Sequence, residues 1–143
     1  MNIAQKLPVS KTLDLFVGNR NDNPEKWTAF GWEDPVHGPQ VKGDLIVIRP
    51  EGTSGSLSCG LWRTSPISAG CQPDGSCTPI YTAPLGDETV LTLEGEAMIT
   101  VKKTGKKHHI KAGDIMSHPK GLDVTWEIPG PFLKKFWVIW AVR

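Results

Sequence analysis

Gly113-Asp114-Ile115-Met116-Ser117-His118-Pro119-Lys120-Gly121 is the stretch that decides how the rest of the chain is read. A Gly-Asp pair, one short apolar strand and a Pro-x-Gly turn describe a strand held between two sharp reversals. The same spacing logic extends upstream through Gly75, Glu88 and Gly95, again with glycines where strands must turn. Glycine suits such corners because it takes positive φ without steric cost.

Working outward, short strand patterns follow one another closely. Leu45-Ile46-Val47-Ile48 is a β-branched run closed by the turn signal Arg49-Pro50-Glu51-Gly52. Further strands are predicted over residues 58–63, 78–83, 88–93, 97–101, 107–110, 115–118, 124–128 and 135–142. Gly86-Asp87, Glu94-Gly95-Glu96, Thr104-Gly105 and Ala112-Gly113-Asp114 punctuate them, and residues 65–76, with two prolines, two glycines and one cysteine, read as a loop. Regular short strands without helices mean a sandwich or barrel. Residues 1–43 are polar and turn-rich, carry Trp27 and Trp32 as aromatic anchors, and predict an extended N-terminal arm lying over a barrel of residues 44–143.

Composition narrows the function classes. The chain has 143 residues, one domain's worth, and 16 basic against 15 acidic residues. That balance gives no electrostatic footprint for nucleic acid or for an anionic membrane. The longest basic run, Lys102-Lys103 through Lys106-Lys107-His108-His109, reads as a solvated hairpin tip. No stretch of about 18 apolar residues is present to span a bilayer, and residues 1–6 lack the apolar core of a signal peptide. Three cysteines, an odd number, fit reduced thiols in the cytoplasm.

The spacings carry a family resemblance. Gly113, five residues, Pro119-Lys120-Gly121, two residues and position 124 resemble the second motif of the cupin superfamily, which ends on a histidine. Gly75, positions 81 and 83, Glu88 and Gly95 fit the first motif, Gly-x5-His-x-His-x4-Glu-x6-Gly, without an insertion. Within the superfamily the chain resembles the ureidoglycine aminohydrolase and ethanolamine-utilisation group of small cupins. That likeness rests on Gly60-Leu61-Trp62, Thr64-Ser65-Pro66, Leu93-Glu94-Gly95-Glu96, Thr125-Trp126-Glu127 and Lys135-Phe136-Trp137-Val138-Ile139. The resemblance implies an all-β cupin jelly-roll β-barrel, or double-stranded β-helix, and a homodimer.

It also implies a metal site of three histidines and a glutamate, and here the sequence departs from the pattern. The histidine positions are occupied by Tyr81, Ala83 and Val124; of the four ligands only Glu88 remains. One carboxylate does not hold a divalent transition ion, since such sites use about three or four protein ligands. The expectation is therefore no metal and no cofactor, with a non-standard divalent-metal site left open. Cys71, Cys77, His118, His37, His108 and His109 show no familiar ligand spacing. Cys71 has no histidine partner in sequence for a thiolate mechanism, and no phosphate-cradling glycine loop is present.

If positions 81, 83 and 124 face inward, strand alternation places Trp126 beside them and sets Val90 and Thr92 on the face of Glu88. The expected ligand pocket is Tyr81, Ala83, Glu88, Val90, Thr92, Val124 and Trp126: apolar and aromatic, with one carboxyl and one phenol. Desolvation there should raise the pKa of Glu88 and suit it to proton transfer, making it the candidate catalytic residue; the plainer reading is a carboxyl hydrogen-bonded to Tyr81 or to a backbone amide. Trp62, Trp126, Trp137 and Trp140 read as core packing. Three functions follow: a small-molecule-binding cupin of unassigned specificity without the usual metal; a lyase, isomerase or amidohydrolase using Glu88; or a structural or regulatory dimer with a filled barrel.

Overall fold

A computed structural model describes residues 14–21, 24–53 and 55–142. Ten strands carry the fold: β1 (Thr28–Asp34), β2 (Gly38–Arg49), β3 (Ser56–Thr64), β4 (Ile80–Tyr81), β5 (Asp87–Glu94), β6 (Glu96–Val101), β7 (Lys107–Lys111), β8 (Ile115–His118), β9 (Val124–Glu127) and β10 (Leu133–Ala141). Among the described residues the only helical element is a 3-10 turn, Pro24–Lys26, and no helix is long and apolar enough to cross a membrane. A six-stranded sheet runs β1-β2-β3-β10-β5-β8 and a four-stranded sheet runs β4-β9-β6-β7. All pairings are antiparallel. The chain is all-β, in the two-sheet layout of a jelly roll.

Period-2 alternation builds the core. In β5 Glu88, Val90 and Thr92 are buried while Asp87, Thr89 and Glu94 reach solvent. From the other sheet Ile99 of β6 and Trp126 of β9 pair across the ladder and close the core with Leu133 of β10. Gly75, Gly95, Gly113 and Gly121, the glycines that set the motif spacing, all have φ between 82° and 94°. A side chain at any of them would be strained.

Gly60 has a different reason for being glycine. It lies opposite Trp137 in the β3–β10 ladder, where an added Cβ would stand 2.1 Å from the Ile46 carbonyl oxygen and 2.8 Å from Trp137 Cζ2. Gly60→Ala is expected to lower unfolding free energy by about 1–3 kcal/mol, the usual cost of overpacking, read as a shift in urea midpoint.

The predicted strands at β3 and β5 to β10 fall within two residues of the observed bounds. Residue 43, after which the sequence reading places the change from arm to barrel, lies inside β2, and β1 with the first half of β2 forms a hairpin of the six-stranded sheet. Gly31, Gly38 and Pro39 interrupt the β-branched pattern there, so the hairpin has little local signature. What ties it down is tertiary. Asp34, 1% exposed, accepts hydrogen bonds from the amides of Val36 at 2.9 Å and His37 at 3.1 Å, and from Thr82 Oγ1 at 2.8 Å.

Upstream of the hairpin, Trp27 stacks under Arg63 at 4.1 Å, and Arg20 donates to the Leu93 carbonyl at 3.0 Å. Arg20 and Trp27 therefore lie against the six-stranded sheet. Residues 1–13 of the expected arm, and the Trp32 side chain, lie outside the described structure.

Asp34 also gives the fold an acid-sensitive tie. Burial opposes its ionisation, but the three hydrogen bonds and the nearby His37 outweigh that and hold its pKa below 3.8. A carboxyl depressed in the folded state contributes stability above its unfolded pKa and loses it as pH falls through the folded value. Asp34→Ala should cost about 1–3 kcal/mol at neutral pH. The gap between wild type and variant should shrink as pH drops below 3.8, measured by urea unfolding across an acid series.

Candidate functional site

Between the sheets lies a cavity of about 210 Å³ lined mainly by apolar and aromatic side chains. Alternation in β10 turns Leu133, Lys135, Trp137 and Ile139 to one face, and the last three of these line the cavity. Trp62 of β3, which pairs with Lys135, stands on one side and Trp126 of β9 on another. Phe30 of β1 and Leu45 of β2 contribute from the hairpin, and Leu85, 62% exposed, stands at the rim.

The polar part of the lining is small and mutually paired. Tyr81 donates its phenol hydrogen to Glu88 Oε1. Glu88 Oε2 lies 3.6 Å from Lys135 Nζ, with the two side chains 5% and 12% exposed. The Lys135 ammonium sits over three rings: Trp126 at 4.6 Å, Trp62 at 5.0 Å and Tyr81 at 5.8 Å. Burial lowers the Lys135 pKa from its usual value, with the Glu88 charge acting in the opposite direction. Burial also pushes the Tyr81 pKa well above the ordinary phenol range, helped by the Glu88 charge and their hydrogen bond. The phenol therefore stays protonated and acts as a donor.

His118, 3% exposed and opposite Glu88 in the β5–β8 ladder, is fixed by donating Nε2–H to the Leu122 carbonyl at 2.6 Å. Its ring meets Tyr81 edge-on, with centroids 5.4 Å apart.

Of the residues expected in the pocket, Tyr81, Glu88 and Trp126 line the cavity. Ala83, Val90, Thr92 and Val124 are buried at 0–2% exposure but do not line it. Ala83 sits at φ 46°, a left-handed conformation rare for a side-chain-bearing residue. Trp62 and Trp137 are cavity walls as well as packing groups, and Trp140 is 49% exposed. Trp140 falls on the opposite face of β10 from Trp137, three residues away, so core packing does not describe it.

Lys135 is the residue that sequence reasoning missed. The available signal was its position two residues from both Leu133 and Trp137, on the inward face of the closing strand. Glu88 is thus an ion-paired carboxylate, hydrogen-bonded by Tyr81, instead of a solitary carboxyl in apolar surroundings. His37, for which the sequence offered no partner, donates to Asp123 Oδ2 at 2.8 Å.

The donor set does not fit the three-histidine, one-glutamate metal site that the motif resemblance implies. Ala83 and Val124 offer no ligand atoms, and the Glu88 oxygens already face Tyr81 and Lys135. Among the described residues, no three His, Cys, Asp or Glu side chains come together to hold an ion. Cys71 and Cys77 are free thiols, and burial, with Cys71 adjacent, pushes Cys77 up to about 12.

Comparison with known proteins agrees with this architecture. Residues 75–137 match the EutQ-like cupin domain. The chain superposes on the EutQ protein of Clostridium difficile with a TM-score of 0.53 at 18% identity, covering 75% of this chain and 73% of that one. It superposes on an ethanolamine utilization protein Q from Salmonella typhimurium with a TM-score of 0.54 at 20% identity, covering 82% and 95%. A cupin superfamily protein from Desulfitobacterium hafniense gives 0.50 at 18% identity, covering 71% and 77%. At these identities the structural likeness speaks for the fold. No curated protein matches the chain. Motif glycines at positive φ, two antiparallel sheets in jelly-roll layout and the superpositions give this chain a cupin fold, and its residues 75–137 are similar to the EutQ-like cupin domain.

Proposed function

We propose that this cupin binds a small, neutral, largely apolar molecule in the cavity without a metal ion. The observation that carries the reading is charge balance: the cavity's carboxylate and ammonium, Glu88 and Lys135, face each other inside an aromatic wall. An ionic ligand would leave one of these charges without its counterion, and a desolvated unpaired charge is costly. A neutral ligand leaves the pair intact and gains from the apolar walls.

Trp137 lines the cavity, and its buried Nε1–H has no partner among the described residues. A ligand with a single carbonyl or hydroxyl oxygen suits that donor. The volume, small beside the roughly 300–1,000 Å³ of sites for drug-sized ligands, limits the ligand to one ring or a short chain.

The test is thermal unfolding with three probes of one shape: benzyl alcohol, benzoate and benzylamine. The neutral probe should raise Tm in a concentration-dependent way, as preferential binding to the folded state requires, while its charged counterparts leave Tm unchanged. Stabilisation by benzoate or benzylamine in preference to benzyl alcohol would contradict the charge-balance argument.

A further inference from the structure

Lys135 is placed as a nucleophile. An ammonium has three N–H donors to satisfy, and the carboxylate that faces Lys135 Nζ, Glu88 Oε2, lies 3.6 Å away, a contact longer than an ordinary hydrogen bond. Its other neighbours are the faces of Trp126, Trp62 and Tyr81. These stabilise positive charge without accepting a conventional hydrogen bond, so the neutral amine loses less here than it would on the surface. The same nitrogen belongs to a side chain that lines the cavity, beside a carboxylate able to carry a proton and the phenol that holds it.

Resting on the reading that the cavity takes a neutral ligand, we propose that Lys135 forms a reversible imine with the carbonyl carbon of an aldehyde or ketone held there. The Lys135 ammonium first passes a proton to Glu88, and the free amine's lone pair attacks the carbonyl carbon as the π electrons move to oxygen. Glu88 gives that proton to the oxygen and takes one from the nitrogen, forming a carbinolamine. Glu88 then protonates the hydroxyl, which leaves as water as the nitrogen lone pair forms the C=N bond, so that the protonated imine faces the Glu88 carboxylate. The net change is amine plus carbonyl to imine plus water, with no oxidation or reduction. Tyr81, held protonated, orients Glu88 by its hydrogen bond. The apolar walls limit the water that would hydrolyse the product. Buried lysines with shifted acidity are the ones chemistry of this kind uses.

The experiment treats the full chain at pH 7 with benzaldehyde and cyanoborohydride, then maps the reduced adducts by peptide mass spectrometry. Benzyl alcohol binding is measured in parallel by thermal shift. Lys135 should be modified about tenfold or more faster than any of Lys102, Lys103, Lys106 and Lys107, all exposed, which serve as internal controls. Lys135→Arg, which keeps the positive charge opposite Glu88, should abolish the fast adduct alone. If benzyl alcohol binds while benzaldehyde marks only the surface lysines, the imine is overturned and the cavity reading stands. If benzyl alcohol fails to bind and Lys135 stays unmodified, both fall.

Discussion

Lys135→Met is expected to lower the free energy of unfolding by about 3–5 kcal/mol, because it leaves the Glu88 carboxylate buried without its counterion. The Tyr81 hydrogen bond remains but supplies no charge. The loss belongs to the stranded partner more than to any large net value of the pair, since two desolvated charges gain only modestly from each other. A second substitution separates the two contributions. Glu88→Gln in the Lys135→Met background still accepts from Tyr81 and removes the stranded charge, so the double variant should recover most of the lost stability. Urea unfolding with a constant m-value makes the comparison direct. A single-variant loss near zero would mean that water reaches the pair.

Trp126→Ala should have an effect of similar size for a different reason. Trp126 is 3% exposed, pairs with Ile99 across the β6–β9 ladder, belongs to the core cluster and lines the cavity. Truncation removes the transfer free energy of a large ring and opens a void that two packed sheets cannot fully close, a change of about 3–5 kcal/mol. It also removes the nearest of the three ring faces around Lys135, at 4.6 Å. The variant should therefore show a lowered Tm and lose the benzyl alcohol shift, whereas Trp126→Phe should keep an aromatic wall and some of that shift. Equal ligand shifts in wild type and Trp126→Ala would remove Trp126 from the site and leave it only in the core.

How far the sequence carries depends on which residues have local reasons. The motif glycines are legible because a sharp reversal with positive φ is a strictly local demand, and Gly75, Gly95, Gly113 and Gly121 all meet it. Their spacing places Tyr81 and Glu88, and alternation then places Trp126. The β1–β2 hairpin is illegible for the opposite reason. Its order comes from Asp34 reaching Thr82, 48 positions away, and from Gly43 passing close to the Trp62 indole. Phe30 and Leu45 enter the cavity through that hairpin, so part of the wall was hidden with it.

Lys135 shows a third kind of limit. In a strand reading Leu-Lys-Lys-Phe-Trp, two adjacent lysines must fall on opposite faces, and charge alone suggests both belong in water. Alternation with Leu133 and Trp137 points Lys135 inward, but only a buried carboxylate makes that position tolerable. Glu88 is that carboxylate, and the link between them appears only when β5 and β10 are seen to pair. Reading the two residues as one unit changes the chemistry from a lone acid to a neutral, paired site.

Elemental analysis of the purified protein tests the central claim most directly, because charges already satisfied by protein groups leave no set of donors for an ion. The account predicts iron, manganese, nickel and zinc all well below one equivalent per chain, unchanged between wild type and Glu88→Gln. One equivalent of a tightly held transition metal, lost in Glu88→Gln, would contradict it.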